Sequence, residues 1–309
     1  MRRNAARLSG LTLLLATVAC DLTDVEIVDF AEVVVAEVYV TVADDPALNR
    51  LRAFIHGTAP GSQPSSQTFD DAVVTVTDGD GVRSVLGPSV IDGCVGVRPE
   101  DSSGTCFVAD FFLAVSFEGG DTLVVEVTLA DGRMLSGSTR IPGDFRVDGI
   151  GGDCRVIPNT RLPLRWSRSN NASAYLSEAL ITGLPAALVS EGIEAPDSLF
   201  LLGLSISETD TTVVFPREFG VFDRLDLAQD LAVRLQDGLP AGASADLAIT
   251  AVGQNYVNWV RGGSFNPSGT VRVSSLVGDG SGVFGAAVTR RFTILSSADT
   301  AAGLLCGRG

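Results

Sequence analysis

The stretch GDGSGVFGAAV, at residues 278–288, contains the spacing G-x-G-x-x-G in Gly280, Gly282 and Gly285. A loop of this kind binds the pyrophosphate of a dinucleotide when a strand precedes it and a helix begins in it. Here the following residues, AAVTRRFTIL, alternate like a strand, and a chain with 34 glycines produces such spacings by chance. The sequence therefore predicts no cofactor. We expect the glycines to form a tight turn that returns Phe284 to the core.

Residues for hydrolytic chemistry are few in this sequence. The single histidine, His56, lies in a predicted strand, and no G-x-S-x-G accompanies any serine. Asp78 and Asp80 could belong to a calcium loop, but the closing glutamate is missing, so we interpret TDGDGV as a hairpin turn. We predict a non-enzymatic protein without a metal site. A hydrolase that uses a pair of the 37 acidic residues is the third alternative.

The first twenty residues, MRRNAARLSGLTLLLATVAC, combine early arginines with an apolar run that ends at a cysteine. This pattern predicts a secretory signal peptide over residues 1–19. The end, TVAC, resembles a bacterial lipobox, so we predict lipid attachment at Cys20 and a tether over residues 20–30; ordinary cleavage after Ala19 is the alternative. Lipid chains would hold the protein on a membrane, the outer membrane rather than the inner one, with the rest in water.

The net charge indicates which partners to expect, and the cysteines indicate the redox compartment. Removal of residues 1–19 takes away three arginines and no acid, so the net charge changes from -15 to -18, which excludes nucleic acid as an expected partner. Four cysteines follow Cys20, and two disulfides are expected in an oxidising compartment. Three pairings are open; we favour Cys94 with Cys106 and Cys154 with Cys306.

Short runs of β-branched and aromatic residues predict an all-β fold with two sandwich domains. Residues 31–148 are predicted to form an immunoglobulin-like sandwich of about seven strands, and the glycine-rich segment 142–154 marks the boundary. Strands are also predicted for residues 149–309, including DLAVRLQ at 230–236 and TVRVSSLV at 270–277. The second domain is expected to be fibronectin type III-like, because Trp166 and Tyr175 resemble the paired core rings of that fold.

One short helix is predicted at residues 254–263, where Tyr256, Trp259 and Val260 share a face at spacings of three and four residues. An aromatic face of this kind packs against a sandwich more often than it forms a ligand shelf. We therefore expect packing as the role of Tyr256 and Trp259, and keep the ligand shelf as the alternative.

Taken in order, several segments resemble a family of uncharacterised envelope lipoproteins, best known from Bacteroidetes and assigned only a domain of unknown function. The resemblance rests on AEVYVTVADDP, DGRMLSGSTRIP, LPLRWSRSNNASAYL and NYVNWVR, followed by the terminal GDGSGVFGA. It implies an exported lipoprotein often encoded beside a TonB-dependent outer-membrane receptor. The expected function is a non-catalytic binding or accessory module, and the alternative is a structural or adhesive envelope protein.

Overall fold

Fifteen strands and three short helices occur in the residues that this computed structural model describes, which are 33–58, 68–89, 94, 104–109, 117–205, 207–220, 229–261 and 272–307. The strands are β1 (Val34–Ala43), β2 (Arg50–Gly57), β3 (Val73–Thr77), β4 (Arg83–Ser89), β5 (Gly104–Val108), β6 (Thr122–Thr128), β7 (Met134–Arg140), β8 (Cys154–Val156), β9 (Leu162–Arg165), β10 (Ala174–Thr182), β11 (Ser198–Ser205), β12 (Thr212–Phe215), β13 (Ser244–Val252), β14 (Leu276–Gly278) and β15 (Ser281–Ser296). The helices are α1 (Leu184–Leu188), α2 (Gln229–Leu235) and α3 (Gln254–Arg261). The predicted all-β class is confirmed.

Two of the three helices were not expected from the sequence. The segment at 230–236 was predicted as a strand and belongs to α2, because Leu231 and Leu235 lie one helical turn apart and are both buried. A short run with apolar residues at every second position also satisfies the helical spacing of four, so the period alone does not separate the two structures. The third helix, α3, confirms the helix predicted at residues 254–263.

Thirteen strands belong to one sheet, whose path is β11-β10-β13-β15-β1-β2-β5-β4-β3-β6-β7-β14, with β8 beside β15; β9 and β12 pair separately. The sheet folds over itself at β4, whose first half pairs with β3 and whose last residues pair with β5. Side chains from the two layers meet in one core, where Val74 and Leu123 belong to the same cluster as Val38 and Ile55. This is a β-sandwich built from a continuous sheet.

The first and the last long strands are neighbours. Strand β1 pairs with β15 in parallel, with Val35 opposite Ser281 and Ala43 opposite Thr289. Strands on the two sides of residues 148/149 are therefore hydrogen-bonded within one sheet. The domain boundary proposed there, and the immunoglobulin-like assignment of the first half, stay predictions.

The glycine stretch is mostly strand rather than turn. Only Asp279 and Gly280 separate β14 from β15, and the predicted strand at 270–277 is described as strand only from Leu276. Gly282 has φ +153°, and a Cβ there would collide with the carbonyl oxygen of Ala36. The glycines thus let β15 approach β1 closely, and a strand follows them as predicted. Phe284 is fully buried, which confirms its expected return to the core.

The expected covalent and aromatic contacts are present. Disulfides join Cys94 to Cys106 and Cys154 to Cys306, which confirms the favoured pairing. Trp166 and Tyr175 are both buried, with ring centroids 5.4 Å apart. Cys20 and the predicted signal peptide lie outside the described residues. Among the described helices, none has both the length and the apolar character needed to cross a membrane.

Candidate functional site

The outer face of the sheet carries the polar residues of its central strands. In β1 the side chains of Ala36 and Val38 join the main core, whereas Glu37 and Tyr39 lie on the opposite face. This follows from the two-residue period of a strand. The same alternation in β2, β10, β13 and β15 extends one continuous outer surface across the centre of the sheet, and this surface is the floor of the candidate site.

Helix α3 forms a wall above that floor. It is held by Asn255, whose Nδ2 donates to the Phe284 carbonyl oxygen at 3.0 Å and to the Ser138 carbonyl oxygen at 2.9 Å. Below the helix, the Tyr256 ring meets the Tyr39 ring with centroids 5.5 Å apart. Gly285 makes room for them, since a Cβ there would lie 2.9 Å from Tyr39 and 3.2 Å from Tyr256.

Between the wall and the floor is a cleft of about 450 Å³, within the range of small-molecule sites. Its lining combines aromatic rings, three arginines, two glutamates and three threonines. The residues used below are Glu37, Tyr39, Thr41, Arg52, Glu178, Tyr256, Trp259, Arg272 and Arg291.

Glu37 is the central charged group of the cleft. Its side chain is 6% exposed, and both carboxylate oxygens have neighbours. The Tyr39 hydroxyl donates to Oε2 at 3.1 Å, and Arg272 Nη1 donates to Oε1 at 3.3 Å. The His56 Nε2 lies 3.8 Å from the same Oε1. A buried carboxylate is stable only when it is paired and hydrogen-bonded, and these groups provide that compensation.

Arg272 also contacts an aromatic ring. Its guanidinium carbon lies 4.9 Å from the centre of the Trp259 ring, a cation–π distance. The Arg272 side chain is nevertheless 45% exposed. It therefore spans from the buried carboxylate to the open part of the cleft. Trp259 packs on Val35 and Val283, and among the described residues its buried Nε1 has no hydrogen-bond partner.

The cleft shifts the pKa of several of its groups. Burial, followed by the nearby Glu37 charge, raises the pKa of Tyr39 well above its usual value. Burial and then Glu178 raise the pKa of Tyr256. Burial lowers the pKa of Arg52, although an arginine remains charged at any physiological pH. Both cleft tyrosines are therefore neutral hydrogen-bonding groups rather than acids or bases near neutral pH.

Of the residues singled out in the sequence, the structure brings Tyr256 and Trp259 into the cleft and Gly285 beneath it. Trp166, Tyr175 and Phe284 lie in the main core, and Gly280 and Gly282 lie at the β1–β15 contact. Glu37, Tyr39 and Arg272 were not predicted as site residues from the sequence. The signal for the first two was present in VVAEVYVTVA, where Glu37, Tyr39 and Thr41 alternate with the apolar core positions of the strand.

The acidic residues that the sequence offered for calcium binding lie in a hairpin turn, outside the cleft lining. Asp78 Oδ1 accepts from the backbone N–H groups of Asp80 and Val82, so it stabilises the β3–β4 hairpin. In the described part of the chain, no cluster of three or more histidine, cysteine or acidic residues could hold a metal ion. Among the residues that the structure describes, Glu37 and Glu178 are the two carboxylates that line the cleft.

Comparisons with known proteins assign no family to this chain. No family model matches the chain, and no curated protein matches it. The solved structure described as "Structures of Clostridium thermocellum CbhA fibronectin(III)-like modules" aligns with 84% of this chain and 91% of its own chain, at 9% identity and a TM-score of 0.19. Nothing about fold or function follows from a likeness at that level, so the sandwich assignment depends on the strand pairing above.

Proposed function

We propose that this protein is an exported envelope lipoprotein that binds a small organic ligand in the outer cleft without altering it chemically. The observation that carries the proposal is the cleft itself. It places Tyr39, Tyr256 and Trp259 beside arginine and glutamate side chains around about 450 Å³ of space. Ligand sites usually have mostly apolar walls with a few polar groups, so the three arginines and two glutamates of this cleft favour a polar or charged ligand.

Export is supported by the cysteines. Two disulfides are typical of extracellular or periplasmic proteins, because cytosolic thiols are kept reduced. The lipid anchor at Cys20 and delivery of the ligand to a TonB-dependent receptor are further parts of the proposal. They rest on the signal-peptide pattern and on the family resemblance.

Binding is tested by blocking the cleft. Thr41 lines it from β1 and is half-buried, so Thr41→Trp would fill it with an indole. Thr128→Trp is the matched control, because Thr128 is also half-buried in a strand but lies outside the cleft lining. Protein without the signal peptide is titrated with a defined panel of sugars, amino acids, aromatic sulfonates and nucleosides, and tryptophan fluorescence and Tm are followed.

We expect at least one panel compound to bind one to one, to raise Tm and to be recovered unchanged. Binding should be lost in Thr41→Trp and kept in Thr128→Trp. Binding that survives Thr41→Trp would place the site elsewhere, and a panel without any binder would count against the proposal.

A hydrolase, the third alternative from the sequence, is also tested, because Glu37 and Glu178 both line the cleft. Glycoside hydrolysis needs one carboxylate as an acid and a second as a base or nucleophile. Incubation of the protein with nitrophenyl glycosides tests this candidate. Hydrolysis of a nitrophenyl glycoside by the wild-type protein, lost in each of the single variants Glu37→Gln and Glu178→Gln, would favour the hydrolase over the binding module.

A further inference from the structure

Two basic side chains converge on one carboxylate oxygen. Arg272 Nη1 lies 3.3 Å from Glu37 Oε1, and His56 Nε2 lies 3.8 Å from that same atom. Only the first of these distances is a hydrogen bond. His56 is the single histidine in the chain, and its side chain is 13% exposed.

The tautomer of His56 explains the longer distance. His56 Nδ1 lies 3.1 Å from the Gly57 carbonyl oxygen, which is only an acceptor, so the neutral ring carries its proton on Nδ1. Nε2 is then a bare lone pair facing a carboxylate, and it has no hydrogen-bond partner among the described residues. Protonation at Nε2 would create a donor that faces Glu37 Oε1 and a second positive charge beside it.

The other groups around His56 do not offer it a competing partner. Among the described residues, Val35 and Glu37 on β1, the stacked Phe54 ring on β2 and Gly104 on β5 lie beside His56. The other titratable groups nearby, Tyr39, Arg52 and Arg272, line the cleft with Glu37. Glu37 is the one carboxylate in that set. A protonated His56 therefore competes with Arg272 for Glu37.

We propose that His56 makes the cleft a proton-linked anion site, in which protonation of its ring transfers Glu37 from Arg272 to His56 and frees Arg272 for a ligand carboxylate, sulfonate or phosphate. The inference rests on the proposed function and adds the ligand class and its regulation. Arg272 has the freedom to change partner, because nearly half of its side chain is exposed. A guanidinium recognises such planar or tetrahedral anions with paired N–H donors.

The charge of the cluster supports the same direction. With neutral His56, the Glu37 and Arg272 charges cancel; with protonated His56, the cluster carries one net positive charge. Arg52, Arg291 and Glu178 line the same cleft, so its charged lining side chains sum to one net positive charge, and protonated His56 beside them raises the local total to two. An anion and a proton should thus strengthen each other's binding, since coupling between two sites is reciprocal.

The probe pair is benzenesulfonate and its neutral analogue benzenesulfonamide, whose charges do not change between about pH 8 and about pH 5.5, the range in which an ordinary imidazole titrates. Affinities are measured at both pH values on the mature protein without a histidine tag. In the same samples, NMR of the single histidine reports protonation of His56. Trp259 emission reports the position of Arg272, with Trp259→Phe as the signal control.

We expect benzenesulfonate to bind about 5-fold or more tightly at the lower pH, and benzenesulfonamide to show no such change. His56→Gln should abolish the pH dependence of affinity and of Trp259 emission. Arg272→Gln, which alters a half-exposed side chain, should abolish the emission change while the histidine signal still titrates.

Two results would overturn the proton linkage alone: equal sulfonate affinity at both pH values, or an emission change that persists in Arg272→Gln. Failure of both probes to bind, with the emission change intact, would instead overturn the anionic ligand class and count against the binding function. If His56→Gln does not fold, the wild-type NMR titration and Arg272→Gln still decide between these outcomes.

Discussion

The rings of Tyr39 on β1 and Tyr256 on α3 meet edge to face, with their centroids 5.5 Å apart. The sheet and the helix that enclose the cleft are joined by this contact. It exists because the residue opposite Tyr39 in the β1–β15 register is Gly285. Packing of this aromatic pair over Gly285 thus helps to hold α3 above the sheet.

Gly285→Ala should therefore destabilise the protein by about 1–3 kcal/mol, because the new Cβ would lie 2.9 Å from Tyr39 and force the ring pair apart. Urea unfolding measures the loss. Gly87→Ala is the control, since Gly87 also lies in a strand but has no atom within 4 Å of an added Cβ. Equal stability of the two variants would show that the ring pair adapts freely.

Phe284→Ala should lower the free energy of unfolding by about 3 kcal/mol or more, because the ring is fully buried in the main core. Phe200→Ala, at a position that is 47% exposed, should cost clearly less.

An added dinucleotide should leave Tm of the wild-type protein unchanged, since a bound ligand would raise it. A dinucleotide-dependent rise in Tm would restore the cofactor interpretation of the glycine stretch.

The two disulfides should differ in their contribution to stability. Cys154 and Cys306 are 152 residues apart, and Cys94 and Cys106 are 12 apart. Chain entropy alone makes the longer link worth about 2 kcal/mol more. Paired Cys→Ser variants of each link, compared by urea unfolding, measure that difference. A larger loss of stability for the short link would contradict the entropic account.

Peptide mapping without reductant should recover both disulfide pairs.

Stability should fall above about pH 10, the ordinary pKa of tyrosine. All three tyrosines of the chain, Tyr39, Tyr175 and Tyr256, have raised pKa values, mainly because they are buried. Above about pH 10 the unfolded chain loses protons that the folded protein keeps, so the free energy of unfolding decreases by up to about 1.4 kcal/mol per pH unit for each tyrosine. Below that pH these groups contribute no pH dependence.

Absorbance of tyrosinate provides the measurement for that expectation. The chain contains no lysine, so no lysine titration contributes to the pH dependence of stability in the range where tyrosine ionises. In the folded protein we expect little tyrosinate at about pH 10.5, and its signal should appear together with unfolding in urea. Three tyrosines that ionise normally in the folded state would refute the burial argument.

Lipid attachment should depend on Cys20. Cells that express the full chain are supplied with a palmitate analogue, and label is expected on the wild-type protein but not on Cys20→Ala. Equal labelling of both proteins, or of neither, would remove the lipoprotein part of the proposal.

Much of the fold was predictable because its signals are local. Alternation of apolar residues in segments such as AVVTVTD and TLVVEVTLA required strands, and Cys94 and Cys106 are close in the chain. Helices α1 and α2 were not predicted; in α2, Leu231 and Leu235 satisfy both periods and tertiary burial decides between them. The helix that carries Tyr256 and Trp259 was predictable, but its role as a cleft wall was not.

The sequence by itself determined the all-β class and the disulfide candidates, because these depend on composition and on short-range periodicity. Tertiary structure alone decided that β15 pairs in parallel with β1 and that Arg272 and His56 meet at Glu37. Those contacts join residues far apart in the chain. Side-chain alternation places a residue on a face of its strand, but only the order of strands in the sheet determines which charges share that face.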